Sequence, residues 1–305
     1  MPELPPSSAV VALILLAIGA PLVVGVVSRT KAIVAGRRGP PLWQLYADLW
    51  KLARRGVVYS TTTTWIFRLA PVILVTTTLV AAALVPLDGR ASMLRFAGDA
   101  VAFAYLLALG RFILVLAALD TGSSFEGMGA SREVTFASIV EPGLFIAIVA
   151  LGVMAHDLSL SGMLGAGARP VDATTVSVMV AGSVFTLALA ECSRVPVDDP
   201  ATHLELTMVH EVMVLDHSGP DLAMILYANA LKLAVFAGII VNVLLPQPRA
   251  GGWLGVAALL GSLVAMGIAV GIVEAVMARL RLPKVPLYIA SSSALALFGL
   301  ILLLR

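Results

Sequence analysis

Long apolar runs separated by short polar stretches set the organisation of the chain. Near-continuous hydrophobic segments cover Ser8 to Val27 and then roughly residues 65–86, 99–119, 134–155, 173–191, 221–245, 253–278 and 286–304. Each reaches the ~20 residues that a helix needs to cross a hydrocarbon core of about 30 Å. Inside a bilayer every backbone polar group must be paired within the spanning element, and these runs are too long and too uniform for barrel strands. Eight transmembrane helices are therefore predicted. No Lys or Arg precedes the first run and no small-residue cleavage pattern follows it, so it reads as a retained span and not a signal peptide.

Composition places the chain in the same class. Hydrophobic residues make up 60% and charged residues 12%, with a mean hydropathy of +1.01, against about 25% charged residues in soluble proteins. The expected fold is all-α, a single membrane domain over residues 1–305. The lone Cys192 excludes an intrachain disulfide framework and a Cys-ligated iron–sulfur cluster. A net charge of +2 is too small to indicate nucleic acid binding. With the N terminus outside, the inner segments hold twelve Lys and Arg and the outer segments five. Both termini are then outside, and residues 28–64, 120–133 and 191–221 form cytoplasmic loops.

The first loop predicts an amphipathic helix over residues 41–55. Pro41 suits a first helical position and Gly56 a C-terminal cap, while Leu42, Leu45, Tyr46, Leu49 and Leu52 fall on one face. This helix either packs at the lipid interface or buttresses a docking platform. Before it, Gly36 to Pro40 form a rigid basic turn with Arg37 and Arg38. The second loop, DTGSSFEGMGASRE, lacks the Gly-Lys-Ser/Thr ending of a phosphate-binding loop. There Ser131 reads as the N-cap of the fourth span, with Arg132 and Glu133 in its first turn. Eight residues beyond Glu133 lies Glu141, about 12 Å deeper, followed by Pro142. A carboxylate at that depth is a functional candidate, the plainer reading being a pair with a neighbouring Arg or Lys.

Arg111, Lys232 and Glu274 are further intramembrane charges, each costing on the order of 3 kcal/mol in hydrocarbon. Buried carboxylates and a lysine in a line are what proton transfer through a low-dielectric medium requires. The third loop, 191–221, concentrates seven of the eighteen carboxylates and three of the four histidines. Glu191, Asp198, Asp199, Glu205 and Glu211 join Glu141, Lys232 and Glu274 as candidates for a proton path. Arg194, His203 and His210 join Arg37, Arg38 and Arg132 as loop and docking candidates. Asp199 before Pro200 predicts a short helix from about 200 to 215. On such a helix, histidines seven apart are separated by roughly 10.5 Å, too far for one ion to bind them at about 2 Å, so no metal site is expected.

Four loop motifs, GRRGPPLWQLYADLWKL, DTGSSFEGMGASRE, ECSRVPVDDPATHLELTMVHE and MARLRLPK, together resemble the membrane subunit of formate hydrogenlyase, hydrogenase-4 and other energy-converting nickel–iron hydrogenases. That family is homologous to subunit 1 of respiratory complex I. The resemblance covers nearly the whole chain. It implies a non-catalytic, multi-pass subunit of a bacterial or archaeal cytoplasmic (inner) membrane that carries no cofactor itself. Its implied partners are hydrogenase large and small subunits with the nickel–iron centre, an iron–sulfur subunit with its clusters, and antiporter-like membrane subunits. By position, Glu141 matches the family's acidic residue in the fourth span, and Glu191 and Arg194 the start of its acidic loop. The chain departs from complex I in having Gly-Arg-Arg-Gly-Pro and Val-Asp-Asp-Pro where complex I has Arg-Gly-Pro-Asn and Phe-Asp-Leu-Pro, which puts quinone binding in doubt. The alternatives are a quinone-binding complex I subunit and a stand-alone secondary transporter; no internal repeat speaks for the latter.

Overall fold

The computed structural model describes residues 7–87, 92–165, 174–198, 208–244 and 253–304. Among these all the regular secondary structure is helical. In order the helices are α1 (Ser7–Val34), α2 (Gln44–Ala53), α3 (Trp65–Leu84), α4 (Asp99–Asp120), α5 (Ser124–Ala155), α6 (Leu160–Leu164), α7 (Thr174–Glu191), α8 (His210–Met213), α9 (Gly219–Leu244), α10 (Trp253–Val276) and α11 (Val285–Leu303). Eight of them are long and apolar enough to cross a membrane, as the hydrophobic pattern predicts.

α9 is the most deeply buried span. It is flanked by α1, α3 and α7, while α4 packs on α3, α10 on α1, and α11 on both α5 and α7. Pro21 cannot donate the helical hydrogen bond that would occupy the Ala17 carbonyl. Tyr227 of α9 supplies the missing donor at 3.0 Å, so a proline that loosens α1 also fastens it to the central helix.

From that contact, Gly25 on α1 and Gly219 on α9 each lie eight residues towards the same end of the bundle, about 12 Å at 1.5 Å per residue. The Leu42 carbonyl rests on Gly25, where any Cβ would collide with it, and the Arg55 and Gly56 carbonyls rest on Gly219. Both ends of α2 are thus held at one height, and the helix lies level across the bundle. It begins at Gln44, three residues after Pro41, because Pro40 and Pro41 sit in the non-helical strand that returns along α1.

Two segments differ from the expectation drawn from sequence. Residues 120–133 are not a loop: only Thr121–Ser123 separate α4 from α5, and Ser131 lies inside α5, its carbonyl accepting from Thr135. The glycines that suggest a turn there serve packing. A Cβ at Gly129 would lie 2.9 Å from the Val209 carbonyl and collide with Val212, so the segment around α8 approaches α5 only because Gly129 has no side chain. At 32 residues α5 runs about 48 Å, which exceeds the hydrocarbon thickness. Of the helix expected over 200–215, residues 200–207 lie outside the described residues; within 208–215 the helical residues are the four of α8.

The described parts of the polar stretch 191–221, residues 191–198 and 208–221, also fold inward. Val195, Val197, Met208, Val209 and Val212 to Val214 are buried, and so are Glu191, Asp198, His210, His217 and Asp221. His217 stacks on Phe67 of α3 with ring centroids 3.9 Å apart and planes 5° from parallel.

Candidate functional site

Arg111, nine residues from the end of α4, is the hub of a buried charge cluster. Its guanidinium reaches Glu141 at 3.1 Å and Glu133 at 3.5 Å, both on α5, and pairs with Glu191 at the end of α7. Glu191 in turn accepts from Lys232 of α9 at 3.3 Å. One cluster therefore ties together α4, α5, α7 and α9. Counted as ions, two cations face three carboxylates, leaving one negative charge in excess. Glu141 is the least enclosed member: 43% of its side chain is exposed, and it lines a groove of about 230 Å³ between α4 and α5 with Phe112, Val134 and Ser138.

A second group surrounds a polar cavity of about 220 Å³ bounded by α1, α2, α9 and α10, whose wall includes Lys31, Arg194, Asp198, His210, Asn229 and Glu274. Glu274 is buried and bridges Lys31 at 3.1 Å and Arg194 at 3.5 Å. Its partners are thus not Arg279 and Arg281, its neighbours in sequence, because α10 packs along α1 and brings Lys31 alongside. Arg279 instead meets Asp198 at 2.9 Å. The other Asp198 oxygen accepts from the Val209 and His210 amides at 3.1 and 3.0 Å. Asp198 therefore caps α8 from eleven residues away and fixes one face of the cavity.

The two groups adjoin. Asn229 contacts the His210 Nε2 at 2.6 Å, and Lys232 follows Asn229 by three residues on α9, one turn along the same face. Polar groups therefore continue from the cavity through His210, Asn229 and Lys232 to Glu191, Arg111 and Glu141. Burial, reinforced by the charge of Lys232, pushes the His210 pKa down to about 4, and burial alone does the same to His217. Both imidazoles are neutral near pH 7. Burial pushes the Cys192 thiol up to about 12, so this wall of the cavity offers no thiolate.

Of the candidates named from sequence, Glu141 and Glu191 meet at Arg111 and Lys232 joins them through Glu191, while Asp198, Arg194, His210, Glu211 and Glu274 line the cavity. Arg37 and Arg38 stand exposed on the turn after α1, and Arg132 donates to the Met208 carbonyl at 2.8 Å. Asp199, His203 and Glu205 lie outside the described residues. Arg111 and Glu133 are the additions. Arg111 carried the signal of an intramembrane charge, whereas Glu133 resembled a first-turn acid at the helix end and is instead an inward-facing partner of Arg111. Among the described residues, no three His, Cys, Asp or Glu side chains gather as a metal site would need.

The family model described as NADH dehydrogenase matches residues 7–304, nearly all of the chain that carries this geometry. Hydrogenase-4 component C of Escherichia coli (strain K12) is 36% identical over 247 residues, covering 80% of this chain and 76% of that protein. Formate hydrogenlyase subunit 4 of the same organism is 30% identical over 282 residues, covering 90% and 91%. A subunit of NADH-quinone oxidoreductase from Burkholderia vietnamiensis is 24% identical over 229 residues, covering 71% and 62%. In fold, the chain is similar to one in the membrane-bound sulfane sulfur reductase, an archaeal respiratory membrane complex, with a TM-score of 0.84 at 20% identity over 97% of this chain and 98% of that one.

Proposed function

The chain belongs to the NADH dehydrogenase family, and from that premise we propose that it is the membrane anchor and proton-path subunit of a group 4 nickel–iron hydrogenase-type complex. At the coarser level it is a membrane subunit of a complex I-like assembly. The finer reading is supported by one observation: a series of polar groups, buried or half-buried, leads from the cavity walled by Asp198, His210 and Glu274 through Asn229, Lys232, Glu191 and Arg111 to Glu141, whose half-exposed carboxylate meets the outer wall of the bundle. A half-exposed carboxylate within a span, paired on its inner side with Arg111, is placed to exchange a proton with a neighbouring subunit. Glu141 is thus where the path passes to a neighbouring antiporter-like membrane subunit. The basic turn at Arg37 and Arg38 and the described parts of the segment 191–221 lie towards the α2 end, assigned to the cytoplasm by the distribution of Lys and Arg, where a hydrophilic electron-transfer arm docks. Nickel–iron and iron–sulfur centres reside in those partners.

Glu141→Gln tests the path. Assembly with the hydrogenase subunits is expected to persist while redox-coupled proton or sodium movement in vesicles is lost; undiminished ion movement overturns the role. Similarity to the NADH-quinone oxidoreductase subunit supports a second reading, in which the cavity receives a quinone head group. Purification of the tagged chain separates the two: nickel–iron subunits accompany it in the first, NADH-oxidising subunits and sensitivity to quinone-site inhibitors in the second.

A further inference from the structure

Residues 28–64 carry seven Lys and Arg against the single carboxylate of Asp48, a net +6 in a chain of net +2, so all the rest sums to −4. Among the described residues, no carboxylate pairs with Arg37, Arg38, Arg54 or Arg55; Lys31 is taken up by the buried Glu274 at 3.1 Å, and the contact of Lys51 with Asp48 is 4.0 Å long. This charge is borne on a helix that lies level across the bundle. Leu45, Leu49 and Leu52 of α2 are half-buried on its inner side. Trp43, Trp50 and Arg54, at i, i+7 and i+11, share the outer face. Trp43 is 66% and Trp50 61% exposed, and the Arg54 guanidinium sits 4.3 Å above the Trp50 ring. At the start of α3, near the same end of the bundle, Trp65 is 68% exposed.

We propose that the outer face of α2 is a binding surface for anionic phospholipid head groups. Trp43 and Trp50 take the boundary between acyl chains and head groups, where an apolar ring with one N–H donor is best satisfied. Lys51, Arg54 and Arg55 take the phosphates. A general excess of basic residues on the inner side accounts for the cations but not for tryptophans on the same outward face. A protein interface would, moreover, be depleted in lysine at its centre. The level attitude of α2 is that of a helix lying in the membrane surface.

The test uses the full-length chain with Trp65→Phe and Trp253→Phe, so that only Trp43 and Trp50 fluoresce. It is placed in nanodiscs of phosphatidylglycerol and phosphatidylcholine at equal mole fraction, with only one of the two lipids brominated near its head group. Brominated phosphatidylglycerol is expected to quench at least about twofold more than brominated phosphatidylcholine. That preference should fall towards unity when Lys51, Arg54 and Arg55 are all replaced by Gln, which leaves both tryptophans in place. Equal quenching by the two lipids overturns the proposal. Absence of quenching by either also overturns it, and would assign the face to another protein.

Discussion

Glu191→Gln is the substitution that most directly probes the charge cluster. Glu191 bridges Arg111 and Lys232. Without its charge, Arg111 keeps Glu141 at 3.1 Å and Glu133 at 3.5 Å, while Lys232 is left with the residue 191 backbone carbonyl at 3.4 Å and a neutral amide. Breaking a buried pair by removing one partner costs about 3–5 kcal/mol, because the remaining charge is stranded in low dielectric. At about 2 °C per kcal/mol for a chain of this size, the midpoint of thermal unfolding in detergent should fall by roughly 6–10 °C. Lys232→Met alone leaves Glu191 paired with Arg111 and should cost less. The double variant strands no ammonium, so it should be more stable than the sum of the single losses predicts, with a coupling of about 1.5 kcal/mol or more. Circular dichroism melts of the three variants decide the matter. Additivity within about 0.5 kcal/mol, or a Glu191→Gln loss below about 1 kcal/mol, would refute the description of Glu191 as a buried bridge.

Two further outcomes follow from particular contacts. Gly25→Ala places a methyl group on the Leu42 carbonyl, whereas Gly261→Ala meets open space. The first should cost about 1–3 kcal/mol and speed tryptic cleavage at Arg54 and Arg55 as α2 lifts; the second should leave stability within about 1 kcal/mol. His210 and His217 have folded pKa values lowered to about 4 against an ordinary value near 6.5. The unfolded chain therefore takes up two more protons than the folded one between these limits. From this pair, stability is full above about pH 6.5 and declines as pH falls towards 4, by up to about 1.4 kcal/mol per pH unit for each histidine. His217→Phe preserves a ring against Phe67 and should remove one proton from that slope, read as the difference between wild-type and variant denaturation midpoints; an unchanged slope would show that His217 is not held neutral.

The eight spans were legible because hydropathy over 20 residues reports the one requirement a bilayer imposes on every helix. The intramembrane charge rule likewise singled out Arg111, Glu141, Lys232 and Glu274 one at a time. Their pairing was not legible, since it depends on which helices are neighbours: Glu274 meets Lys31, 243 residues away, only because α10 lies along α1. Gly129 was misleading for a related reason. A glycine in a polar stretch suggests a turn, yet this one admits a backbone from the Val209 to Val212 segment. The same holds for Asp198, which caps α8 across an intervening stretch while the Asp199–Pro200 signal beside it lies outside the described residues. In each case the local signal was real but its partner was remote. Glu133 is the most instructive residue. From sequence it is a carboxylate favourably placed in the first turn of a span; in the folded chain the span begins at Ser124, three turns earlier than residue 134. That shift carries Glu133 from the helix end into the interior, beside Arg111. Had α5 begun near residue 134, Arg111 would face Glu141 and Glu191 alone. The extra turns of α5 are what bring a third carboxylate, Glu133, beside Arg111.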